Sequence, residues 1–237
     1  MKSSFTTILI LALNMTLAHA EQIKAEDYRD YWLWAGVHYR PELETAKNIY
    51  LLQGEVAPAP AGGAYVKFQG GAQPGPHGPA IWLVYRVRSL EWGAEIIATI
   101  VRRLELWRAQ PGKISGIQLD FDASTHGLAD YARFLKTIRA SLPVDCRLSI
   151  TGLMDWASQA EPDDLDRLSG TVDEIIFQTY RGRRTVSDIG DYLKRIARLR
   201  VPFRLGLAEG SEWSYREPLA RNPYFNGYVV FLQNHQK

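Results

Sequence analysis

The chain of 237 residues has one cysteine, few histidines and almost no excess of charge of either sign, and each shortage removes a class of protein. Cys146 has no second cysteine with which to form an intramolecular disulfide. It stands at the start of an expected strand, where a buried structural thiol is a better reading than a nucleophile. One of the five histidines falls in the opening segment, and His38, His77, His126 and His235 show no metal-ligand spacing such as H-E-x-x-H. Neither a metal nor a cofactor is expected. A serine hydrolase would carry a G-x-S-x-G elbow and a nucleotide-binding sheet a G-x-G-x-x-G turn or a P-loop, and the chain has none of these. No later segment is apolar enough to span a bilayer, which takes roughly 20 continuous apolar residues.

What is present begins with the first twenty residues. Met1-Lys2-Ser3-Ser4 is followed by an apolar run from Phe5 to Leu17 and then Ala18-His19-Ala20. A basic start, a short apolar stretch and an A-x-A site together read as a cleavable secretory leader, with the mature chain beginning near Glu21. The expected location is therefore periplasmic or secreted. Lys2 is the one formally charged residue in that segment, so removing it leaves 27 Lys and Arg against 26 Asp and Glu. A near-neutral mature chain lacks the concentrated positive field that nucleic-acid binders and polybasic membrane-surface proteins rely on.

From about residue 80 the chain alternates β-rich apolar runs with helical patterns, which predicts parallel β/α units. Strands are expected at Ala80–Val87, Ile114–Phe121, Arg147–Leu153, Asp173–Tyr180, Pro202–Ala208 and Gly227–Leu232, and upstream at Tyr31–Val37 and Asn48–Gln53. Helices are expected at Ala94–Arg108, Leu128–Leu142, Asp163–Leu168 and Val186–Leu199. Eight strands in residues 21–237 fit a single domain of α/β class, a (β/α)8 TIM-type barrel. The barrel is somewhat reduced: Val56–Pro79, rich in Pro, Gly and Ala, reads as a long loop in place of the second helix, and no helix is expected after the last strand. An open doubly wound sheet is the rival architecture.

The fourth strand carries the chemistry. Side chains alternate across a strand, so Gln118, Asp120 and Asp122 share one face and Ile117, Leu119 and Phe121 the other. In a barrel the polar set points inward, and the C-terminal ends of strands are where barrel active sites are built. The blander alternative is that Asp122, Ser124 or Thr125 caps the following helix.

The stretch Gly116-Ile117-Gln118-Leu119-Asp120-Phe121-Asp122-Ala123, with Tyr131-xx-Phe134-Leu135 behind it and Leu148-Ser149-Ile150-Thr151-xx-Leu153-xx-Trp156 in the next unit, resembles the bacterial family called domain of unknown function 3142. The resemblance extends over most of the mature chain. More distantly, the strand is similar to that of chitinase-type glycoside hydrolases of family eighteen, which reads D-G-x-D-x-D-x-E. That resemblance implies Asp122 in the place of the proton-donating glutamate, one methylene shorter, and Asp120 in the place of its pKa-raising neighbour. Ser115 and Gln118 depart from the pattern. Gln178-Thr179-Tyr180 is similar to the tyrosine-bearing sixth strand of those enzymes, which implies that Tyr180 positions the substrate.

Further candidates for the substrate site are Gln118 on the fourth strand, Asp155 and Trp156 at the end of the fifth, Gln178 on the sixth, and Glu209 at the end of the seventh. Glu209 is a possible second carboxylate to partner Asp122. Trp34, Trp82, Trp156 and Trp213 are candidate platforms for a sugar ring. The basic run Arg181-Gly182-Arg183-Arg184 suits an anionic ligand or, more blandly, a solvated loop. The expected partner is a carbohydrate. An enzyme that hydrolyses it and a catalytically degenerate barrel that binds it both remain open, as does an interaction role at the envelope.

Overall fold

The computed structural model describes residues 21–37, 40–70, 78–122, 127–154, 156, 167–182, 184–213, 219 and 221–232. The expected leader, Asp155 and the four later histidines lie outside them, as does most of the short helix expected at 163–168. The architecture is a closed ring of eight parallel strands: β1 (Asp30–Leu33), β2 (Asn48–Pro58), β3 (Ala80–Val87), β4 (Lys113–Asp120), β5 (Arg147–Leu153), β6 (Glu174–Gln178), β7 (Phe203–Ala208) and β8 (Phe225–Leu232). Each strand pairs with the next, and β8 returns to β1 with Val230 opposite Tyr31 and Leu232 opposite Leu33. That closure decides for the barrel over the open sheet.

Alternation along the strands builds two cores. Trp32, Tyr50, Trp82, Val84, Ile176 and Phe231 point inward and fill the barrel. The intervening residues, such as Leu83, Ile117, Ile150 and Phe177, point outward into a larger apolar layer shared with the helices. Helix α1 (Ala94–Arg108) buries Ile100, Leu104 and Trp107, and α2 (Leu128–Ser141) buries Leu128, Tyr131, Leu135 and Ile138. A third helix, α3 (Ile189–Ile196), buries Ile189, Leu193 and Ile196. These spacings place one apolar stripe of each helix on the sheet. Among the described residues no helix is long and apolar enough to cross a membrane.

The second unit differs from expectation. β2 continues through Val56 to Pro58, and the chain turns back as an antiparallel strand, Ala64–Phe68, with Val56 opposite Val66. Gly62 and Gly63, at φ 93° and 74°, make the turn that the Pro- and Gly-rich composition suggested was loop. The last helix is also shorter than expected: α3 spans Ile189–Ile196 where Val186–Leu199 was expected, and Asp188 takes a left-handed φ of 58° immediately before it.

The N-terminal end of the barrel is closed by charge. Arg204 donates to Glu174 at 2.7 Å and to Asp30 at 3.0 Å, the Tyr50 hydroxyl donates to Glu174 at 2.5 Å, and Asn48 donates to Asp30 at 2.6 Å. Arg147 lies over the Trp82 ring at 5.0 Å. Buried ions are tolerable only when paired in this way. The plug leaves the C-terminal mouth as the end of the barrel where a ligand has room.

Candidate active site at the C-terminal mouth

The three polar residues of β4 take three different environments. Gln118 is fully buried within the barrel, where its Oε1 accepts from Trp32 Nε1 at 2.8 Å and its Nε2 donates to Ser149 Oγ at 2.9 Å. It braces the barrel interior rather than meeting a ligand. Asp120, the last residue of the strand, is buried and accepts a hydrogen bond from Thr151 Oγ1 at 2.8 Å. Burial raises its carboxyl above the ordinary range, and this outweighs the Thr151 hydroxyl and the Arg86 charge, both of which pull it down. Asp122 lies beyond the strand end and is exposed, with Arg86 Nη2 3.6 Å from its Oδ2. Gly127 occupies the N-cap of α2 with no side-chain capping bond, so Asp122 does not serve as the cap of that helix.

Asp122 opens onto a cleft of about 790 Å³ whose walls include Gln178, Tyr180, Arg181, Arg184 and Leu153. Tyr180 follows β6 after one residue, in a two-residue strand, Tyr180–Arg181, that pairs antiparallel with Arg184–Thr185. Its ring packs edge-on against Phe231 at 5.2 Å. Burial, reinforced by the charges of Asp120 and Asp122, pushes its phenol well above the ordinary value and keeps it a hydroxyl donor. Asp122, Tyr180 and Gln178 thus share one cleft, with Asp120 buried at the strand end beside them.

The other candidates are dispersed. Glu209 at the end of β7 is held by both terminal nitrogens of Arg40, at 2.7 and 2.8 Å, and is not among the cleft walls. Trp156 is fully buried in the outer apolar layer against Tyr131 and Phe177, so it is a core residue and not a sugar platform. Trp82 and Trp213 are buried as well. Trp34 is partly exposed, tilted against Trp32 at 4.4 Å and covered by Arg86 at 5.3 Å. Among the described residues no group of three or more His, Cys, Asp or Glu side chains is arranged to hold a metal ion. Cys146 is buried, and burial raises its thiol, as suits a structural role.

Three further residues brace the candidate residues: Arg86, Thr151 and Arg40. Arg86 continues the inward register of Trp82 and Val84 on β3, so a charge at spacing two was its signal. Thr151 stands at the inward register of β5 beside Asp120. Arg40 sits in a connection and gave no signal.

Residues 87–193 match the family described as Domain of unknown function (DUF3142). The match runs from the end of β3 into α3 and contains Asp120, Asp122, Gln178 and Tyr180, and it is narrower than the sequence resemblance suggested. Among curated proteins, none matches the sequence. Several solved structures are similar. The spore cortex-lytic enzyme SleL of Bacillus cereus has a TM-score of 0.45 and 18% identity, over 69% of this chain and 43% of that one. The chitinase domain of the spore coat protein CotE from Clostridium difficile has a TM-score of 0.49 and 11% identity, over 85% of this chain and 68% of that one. The chain thus spans less than half the length of SleL.

Proposed function

We propose that this DUF3142-type barrel is an exported protein that hydrolyses a carbohydrate in the cleft at its C-terminal mouth. The observation that carries the reading is the sharing of one cleft by Asp122, Tyr180 and Gln178, with the buried Asp120 two residues before Asp122. In this reading Asp122 delivers the proton to the departing glycosidic oxygen. Asp120, hydrogen-bonded by Thr151, supplies the buried acidic neighbour. Tyr180 donates its phenolic hydrogen to hold the reacting sugar, and Gln178 adds an amide to the same wall. Trp34, the partly exposed tryptophan among the candidates, is the platform for a sugar ring. Export rests on the leader-like residues 1–20.

A second reading has its own observation. The carboxylate in the position of the proton donor is one methylene short of a glutamate and is engaged by Arg86 at 3.6 Å. Misplacement on that scale can cost on the order of a hundredfold in rate. A barrel that binds sugar without cleaving it would have this arrangement.

Reducing-sugar release from a panel of envelope and biofilm polysaccharides, run beside Asp122→Asn, separates the two. Release that disappears in the variant while affinity persists supports the hydrolase, because the amide keeps the size but delivers no acidic proton. Affinity without release in either protein leaves the binding barrel.

A further inference from the structure

The cleft carries a second chemical feature that acid catalysis does not use. Arg181 and Arg184 are direct cross-strand partners in the hairpin after β6, and both line the cleft. Like charges directly opposite on paired strands are destabilising. Both residues are exposed, and neither forms an ion pair with a carboxylate among the described residues. Asp122, the acidic residue of the described walls, is already engaged by Arg86. The cleft wall is therefore locally cationic in a chain whose formal net charge is only +2.

The hairpin that holds the two arginines side by side is anchored. The Val186 N–H donates to the Thr179 carbonyl at 2.9 Å, the Thr179 hydroxyl to the Gly206 carbonyl at 2.9 Å, and the Thr185 hydroxyl to the Glu212 carbonyl at 2.5 Å. Gly182 turns the tip at a φ of 62°, with open space where a Cβ would stand. The like charges are thus fixed beside Tyr180 by bonds to the body of the barrel. A bound anion would relieve their repulsion, and a guanidinium presents paired N–H groups that match two oxygens of a carboxylate or phosphate.

We infer that the cleft selects an acidic glycan, and that Arg181 and Arg184 together bind the anionic group of one sugar residue, a carboxylate or a phosphate ester. This rests on the carbohydrate reading above and narrows its substrate class.

Calorimetric titration of the purified protein tests it with four probes: a short oligogalacturonate, its methyl ester, a phosphorylated oligosaccharide and a neutral oligosaccharide of equal length. At least one acidic probe should bind roughly tenfold or more tightly than its neutral counterpart, with the advantage shrinking as salt rises. Whichever acidic probe binds identifies the anion. Arg181→Gln with Arg184→Gln should bring the acidic-to-neutral ratio close to one at a melting temperature equal to or above the native one, since the opposed charges are removed. Equal affinity for acidic and neutral probes, or a preference that survives in the double variant, overturns the inference while leaving the carbohydrate reading intact. Failure to bind any oligosaccharide overturns that reading and this inference with it.

Discussion

Thr151 donates its hydroxyl to Asp120 inside the rim of the barrel, at 2.8 Å, and this bond opposes the desolvation of the buried carboxylate. It is not enough: burial dominates, and the Asp120 carboxyl sits above its ordinary 3.8 in the folded chain. The folded protein therefore holds that proton more tightly than the unfolded chain does.

The sign of the pH dependence follows from linkage. A raised folded-state value contributes stability that is fully present below the unfolded value and is lost as pH rises through the folded value. Above that folded value the native state carries a buried charge at a net cost. Asp120→Asn should raise the melting temperature at neutral pH, and the gain should shrink as the pH is lowered through the raised folded-state value and vanish below 3.8. Thermal unfolding across that range measures it. An Asn variant less stable than the native protein at neutral pH would show that the ionised carboxylate is a net stabiliser.

The charged plug at the other end of the barrel makes a separable prediction. Arg204→Met leaves Glu174, almost wholly buried, and Asp30 without their cation. Removing one partner from a buried ion network costs about 3–5 kcal/mol. Urea denaturation should show that loss, while ligand affinity of the folded fraction stays near the native level, because the network lies at the end of the barrel opposite the cleft.

Two glycines separate steric from conformational cost. A Cβ on Gly116 would stand 2.0 Å from the Arg147 carbonyl oxygen, where β4 and β5 pair. Backbone cannot swing aside as a side-chain end can, so Gly116→Ala should cost at least about 3 kcal/mol. Gly182 has nothing within 4 Å but a φ of 62°, so Gly182→Ala should cost only about 1–2 kcal/mol. Melting curves of the two variants side by side check the ranking.

The barrel was legible because its signals are periodic. Alternating runs marked all eight strands, and the inward register of Gln118, Asp120 and Asp122 came directly from spacing two. Spacing names a face but not a depth. Gln118 shares its face with Asp122, yet the barrel encloses the first and the strand ends before the second. The same limit applies to Glu209, whose position at a strand end was readable while its partner Arg40 lies 169 positions away. The hairpin of residues 48–68 was hidden because Pro, Gly and Ala describe a turn and a loop equally well.

The tryptophans give the sharpest test of that limit, since the sequence treated Trp34 and Trp156 alike. Trp156 is fully buried between Tyr131 and Phe177, so Trp156→Ala should cost about 3–5 kcal/mol and lower ligand binding only through loss of folded protein. Trp34 is partly exposed beside Arg86, with its ring tilted at 56° to Trp32. Trp34→Ala should lose about 0.5–1.5 kcal/mol of aromatic contact and lower sugar affinity roughly tenfold or more at a temperature where the variant is fully folded. Measuring affinity and unfolding on the same two variants separates the roles. If Trp34→Ala binds the native ligand as tightly as the native protein does, its ring is not the platform, and the sugar finds its apolar contact on the cleft walls, which do not include Trp34.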